Sequence, residues 1–69
     1  MPLSARNQFT GTVVRLKTGI VTAEVVVRVA PGVEVVSVIT AASAKALKLK
    51  RGARVTAIVK STDVMIATA

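Results

Sequence analysis

The sequence contains no cysteine, histidine, tryptophan or tyrosine, and Phe9 is its one aromatic residue. Without cysteine and histidine there is no disulfide framework, no thiol nucleophile and no ordinary set of transition-metal ligands. Carboxylates are also scarce, with only Glu24, Glu34 and Asp63. A self-contained acid/base site has almost nothing to be built from, so the chain is not expected to be an enzyme. Long apolar runs are missing too. The longest uncharged stretch, residues 35–44, is ten residues, against the roughly 20 that a bilayer-spanning helix needs. The opening residues lack a basic stretch followed by an apolar run, so no signal peptide is read and a cytoplasmic location is expected.

What the sequence does have is positive charge and small aliphatic side chains. Ten Lys and Arg against three acidic residues give a net charge of +7, and 52% of the 69 residues are hydrophobic. Most of that apolar mass is Val and Ala. This length fits one domain, taken as residues 1–69. A chain so small buries only about 60% of its unfolded surface, and self-association is a common remedy.

The hydrophobic pattern predicts an all-β fold. Residues 9–17 and 20–29 are rich in Thr and β-branched residues and flank Lys17-Thr18-Gly19, which reads as a hairpin. In the second strand Val21, Ala23, Val25, Val27 and Val29 share one face and form the expected core. Ala30-Pro31-Gly32 is a turn, and residues 33–40 form a third strand. That strand is apolar on both faces, which suits cover by the barrel interior on one side and a second subunit on the other. Residues 41–47 favour a short helix with Thr40 as N-cap, and Gly52 redirects the chain after it. Residues 54–60 alternate again, Ser61-Thr62-Asp63 turns, and residues 64–67 make a short fifth strand. The expected fold is thus a small five-stranded OB-like barrel with one short helix between strands three and four, assembling as a homo-oligomer.

Three segments could carry chemistry. In an extended Ser4-Ala5-Arg6-Asn7, residues two apart share a face, so the Ser4 hydroxyl and the Arg6 guanidinium can address one tetrahedral oxyanion. The plain alternative is a solvated polar tail. Lys60-Ser61-Thr62 offers a point charge, hydroxyls and turn N–H groups, or simply a turn with Lys60 in water. Thr40-Ala41-Ala42-Ser43 gives a helix start whose free N–H groups attract anions, or an ordinary capped helix.

Taken as a set, these residues resemble the molbindin or Mop family. Its members are free-standing relatives of the molybdate-binding domains of molybdate transporters and molybdate-responsive regulators. The likeness rests on Ser4-Ala5-Arg6-Asn7-Gln8, Gly11-Thr12-Val13, Gly19 through Glu24-Val25, Thr40-x-x-Ser43 and residues 59–66, Val-Lys-Ser-Thr-Asp-Val-Met-Ile. It covers residues 4–67. The resemblance implies an OB-like barrel assembled as a hexamer, a trimer of dimers, that binds molybdate or tungstate between subunits. Carried over by position, Ser4, Arg6 and Lys60 match oxyanion-binding residues, with Ser61 an added donor. Asn7 belongs to the motif but organises the segment. The family's second class of site, near threefold axes, makes Thr22, Ala23 and Ser43 weaker candidates, and Thr22 departs from the Asn that many members carry there.

Molybdenum would then arrive wrapped in its own oxygens, which is how a chain without Cys or His could hold it. The implied function is noncovalent molybdate or tungstate capture for storage or homeostasis, with no organic cofactor and no membrane partner. Two other classes compete. One is a basic OB-like nucleic-acid-binding protein, suggested by Lys45, Lys48, Lys50, Arg51 and Arg54. It is disfavoured because sequence-tolerant single-strand binding uses aromatic platforms. The other is an interaction module that docks its apolar faces on a larger protein.

Overall fold

The structure is a computed structural model that describes residues 3–69. The first two positions of the expected 1–69 unit lie outside the described residues. Four strands, β1 (Asn7–Thr18), β2 (Thr22–Ala30), β3 (Val33–Thr40) and β4 (Arg54–Val59), form one antiparallel sheet in the order β3-β2-β1-β4. A short helix, α1 (Ala41–Ala46), links β3 to β4, and a 3₁₀ turn at Ser61–Asp63 follows β4. The all-β class and the helix between the third and fourth strands are as the sequence predicts.

Strand β1 curls the sheet. Its first half, from Asn7 to Thr12, pairs with β4, and its second half, from Thr12 to Thr18, pairs with β2. One strand can serve two neighbours this way only by bending, and Gly11 sits at the bend. A Cβ added there would lie 2.2 Å from the Arg28 carbonyl oxygen of β2, so close backbone approach at this corner requires glycine. A bulge follows immediately, since Val13 pairs with Val27 and Arg15 with Val26, which leaves Val14 as the extra residue and adds local twist.

The core is small and aliphatic. Val13, Val25 and Val27 form its buried cluster, with Leu16, Val29, Ile39, Leu49, Ala53 and Val55 packed around it. Ala23, Val25 and Val27 face inward as expected, and Val29 is half-buried. Val21 does not. The Gly19 N–H closes on the Thr22 carbonyl at 2.8 Å, so the turn falls at residues 19–21. Val21 and Ile20 are left 73% and 100% exposed. The hairpin turn therefore lies later than Lys17-Thr18-Gly19, and β2 starts at Thr22 rather than Ile20.

Thr40 caps α1 as the sequence predicts, its Oγ1 accepting from the Ser43 N–H at 3.0 Å. Lys48 adopts a positive φ of 54° and Gly52 one of 94° as the chain turns into β4.

The fifth strand is a correction. Residues 64–67 join no ladder in the chain, although Val64 has an extended backbone and Met65 and Ile66 stand 92% and 87% exposed. The physical reason is position: a 3₁₀ turn follows β4, and beyond it the segment is left standing in solvent rather than packed on its own sheet. The two unpaired edges, on β3 and β4, instead border an apolar groove of about 420 Å³ lined by Val25, Val27, Val35, Val55, Ala57 and Val59 among others.

Candidate functional site

The β1–β4 ladder brings the two motif segments to one end of the sheet. Its final pair is Asn7 opposite Val59, so Arg6 and Lys60 are the residues that step off the ladder on either side. Ser4 lies two residues before Arg6, in a bend, and Ser61 begins the 3₁₀ turn after Lys60. A hydrogen bond joins the segments, with Asn7 Nδ2 donating to Ser61 Oγ at 3.5 Å. Gln8 Nε2 donates to the Ala5 carbonyl at 2.8 Å and braces the approach to β1. The Asp63 N–H closes the other segment on the Lys60 carbonyl at 2.9 Å.

All four principal candidates, Ser4, Arg6, Lys60 and Ser61, are exposed, and Asn7 is half-buried. The one ion pair among the described residues is Arg28 with Glu34, so the Arg6 and Lys60 charges have no carboxylate partner. The end of the sheet therefore presents two free cations and two hydroxyls, the donor set that a tetrahedral dianion accepts. In one chain this set is open to solvent and would enclose an ion on one side only.

The weaker candidates lie elsewhere. Thr22 pairs with Thr40 across β2 and β3, and Thr40 Oγ1 donates to Ser43 Oγ at 2.7 Å. Ala23 is 1% exposed and paired with both Thr18 and Ile39. These residues sit at the far end of β1 from Asn7. Eleven positions along a bent strand separate the two ends, so the structure brings Asn7, with Arg6 next to it in the chain, to Lys60 and Ser61 but does not bring Thr22, Ala23 or Ser43 to them. Among the described residues no three His, Cys, Asp or Glu side chains cluster as metal ligands.

Sequence reasoning missed the Gln8 brace and the Thr10–Thr56 hydroxyl contact of 3.3 Å that ties β1 to β4 beside the site. The Thr10–Thr56 contact depends on the strand register, which sets the two residues opposite each other, whereas the Gln8 contact is local, reaching back three residues.

Comparison with known proteins identifies the family and the fold. The TOBE domain model matches residues 3–66. Molybdenum-pterin-binding protein 2 of Clostridium pasteurianum is 56% identical over 66 residues, covering 96% of this chain and 97% of that protein. The solved structure of MopII from Clostridium pasteurianum is 54% identical, with a TM-score of 0.91 over 97% of this chain and 100% of that one. The cytoplasmic molybdate-binding protein ModG, solved with molybdate bound, is 46% identical with a TM-score of 0.84, over 88% of this chain and 43% of that one. With the two motif segments side by side on a curled sheet of matching fold, the chain belongs to the TOBE domain family and, within it, to the molbindin or Mop proteins.

Proposed function

We propose that residues 1–69 act as one oxyanion-binding domain that captures molybdate, and tungstate likewise, reversibly and without covalent chemistry, as an intracellular store or buffer. The observation that supports this reading is the Asn7–Val59 end pair, beyond which the Ser4–Arg6 segment and the Lys60–Ser61 segment leave the same end of the ladder. Arg6 and Lys60 neutralise the dianion, the Ser4 and Ser61 hydroxyls donate to its oxygens, and Asn7 holds Ser61 in place. Every ligand contact is a charge-assisted hydrogen bond to oxygen. The protein supplies binding and no reaction.

The reading includes assembly. Two copies complete each other if residues 64–69 of one lie as a fifth strand in the groove between β3 and β4 of the other. Several observations support this. The groove is bordered by two unpaired edges, which are otherwise sites of uncontrolled pairing, and the apolar residues 64–67 join no ladder, with Val64 already extended. Val36 and Val38 on the outer face of β3 are 62% and 66% exposed. The single chain exposes 5599 Å², where a compact monomer of its mass exposes about 4,100 Å². Because the exchanged arm starts at the 3₁₀ turn, Lys60 and Ser61 sit where two copies meet, and a second chain supplies the wall that the site lacks. Further association to a hexamer, a trimer of dimers, would concentrate +7 per chain into a field that draws small dianions.

The test is calorimetric titration of molybdate into the wild type and Arg6→Ala at matched protein concentration. The variant is expected to bind about 10–100-fold more weakly, the loss of one charged hydrogen-bonding partner. Equal affinities would remove Arg6 from the site.

A further inference from the structure

The outer face of the sheet carries a second concentration of donors, away from the oxyanion residues. Strand register places Glu34, Arg28, Thr12 and Arg54 in one row across β3, β2, β1 and β4. Directly paired residues share a face, so both guanidiniums flank Thr12 on the same side. The bulge at Val14 turns Arg15 to that side as well, opposite Val26 and two residues from Arg28 along β2. Arg51 joins them from the turn before β4, which is pinned by the Gly52 N–H donating to the Val13 carbonyl at 2.8 Å and the Val13 N–H to the Ala53 carbonyl at 2.9 Å.

Four of the five arginines thus converge on two adjoining shallow grooves of about 510 and 660 Å³, and no lysine lines either one. Solubility alone would be served by lysine. The segregation of guanidinium points to a planar, bidentate recognition of oxygens. Two of the four are already oriented, Arg28 Nη2 on Glu34 Oε2 at 2.9 Å and Arg54 Nη1 on Thr12 Oγ1 at 3.0 Å. Arg15 and Arg51 have no side-chain hydrogen bond among the described residues and are exposed. Beneath them Val26 is 8% exposed, an apolar floor on an otherwise outward face. One carboxylate against four guanidiniums leaves the groove strongly positive.

This face is separate from the molybdate site. The Thr12–Arg54 pair lies five residues along the ladder from Asn7–Val59, about 17 Å, too far for one small ion to bridge. Arg28 and Arg54 are rooted two strands apart, about 10 Å, a span that matches an anion carrying two linked phosphates better than a single tetrahedron. The absence of any aromatic beside the groove gives a nucleobase nothing to stack on. We infer that the arginine row formed by Arg15, Arg28, Arg51 and Arg54 is a second anion site, for a small ligand bearing a diphosphate group.

The experiment is titration of inorganic pyrophosphate into the full chain at physiological ionic strength, with and without saturating molybdate. Binding is expected in both conditions, weakened about tenfold or more by Arg15→Gln and by Arg51→Gln, and unchanged by Arg6→Gln. Molybdate titrations of the same variants are expected to show the reverse order, so the two sites succeed or fail independently. Absence of pyrophosphate binding would overturn the inference. So would displacement by molybdate together with loss in Arg6→Gln, which would place pyrophosphate in the first site. A single-stranded oligonucleotide that binds more tightly than pyrophosphate, and is lost in Arg15→Gln and Arg51→Gln, would overturn it in favour of nucleic acid.

Discussion

Replacing Gly11 with alanine tests the curled sheet at its tightest point. The added methyl carbon would stand 2.2 Å from the Arg28 carbonyl oxygen, 2.9 Å from its carbonyl carbon and 3.0 Å from Val27 Cγ1. Ordinary contact begins near 3.4 Å, so β1 and β2 must separate by about 1 Å at a place where backbone, not a pliable side chain, is in the way. Two effects compete. Alanine restricts the unfolded chain and favours folding by about 0.4–1 kcal/mol where the native backbone tolerates it. Overpacking in a close-packed interior costs about 1–3 kcal/mol, and more where backbone must move. The steric effect wins, with a net loss on the order of 2 kcal/mol. A 69-residue chain has only about 3–10 kcal/mol in total. At about 4–8 °C per kcal/mol for a domain of this size, Gly11→Ala is expected to lower Tm by about 8–16 °C. The assay is thermal denaturation followed by circular dichroism, at one fixed protein concentration because assembly makes Tm concentration-dependent. A fall of less than about 2 °C would refute the claim that β1 and β2 meet this closely at the bend.

Other outcomes follow from the same structure. Thr40→Ala removes the hydroxyl that accepts the Ser43 N–H and is expected to cost about 1 kcal/mol, read as a Tm lower by about 4–8 °C. Met65→Asp combined with Ile66→Asp puts charge on both faces of the exposed C-terminal segment; light scattering is expected to show a smaller assembly, and an unchanged mass would contradict strand exchange. Lys60→Ala is expected to weaken molybdate binding about 10–100-fold while leaving the circular dichroism spectrum intact. Since Arg6 and Lys60 are exposed, wild-type affinity for molybdate should fall as sodium chloride rises, by screening.

Much of the fold can be read from alternation. Ala23, Val25 and Val27 are two apart and face inward, Thr40 stands before a run of alanines and caps it, and Pro31-Gly32 turns the chain. The misreadings have local causes. Ile20 and Val21 continue a β-branched run, yet the Gly19 N–H finds the Thr22 carbonyl first and the chain turns there. Val26 lies by parity on the outer face yet is 8% exposed, opposite Arg15 just past the bulge at Val14, and no pattern within β2 encodes a bulge in β1. Residues 64–67 have strand composition and extended backbone at Val64 without a ladder, because composition specifies a strand but not which edge it joins.

The site was legible in residue types and not in geometry. Ser4, Arg6, Lys60 and Ser61 could be chosen by donor chemistry and by resemblance, whereas bringing their two segments to one end of the sheet depends on the register that sets Asn7 against Val59. Register is a long-range property, fixed by the core faces of both strands and by the Gly11 bend. The same holds for the arginine row, whose members are spread from Arg15 to Arg54 and share nothing in sequence that predicts their convergence.

Native mass spectrometry of the chain titrated with molybdate in excess sulfate reads capture of an intact oxyanion and assembly of the protein together. A homo-oligomer that gains several molybdate masses despite the sulfate is expected, with uptake reduced in Arg6→Ala. A monomer, or an assembly that takes up no molybdate, would contradict it.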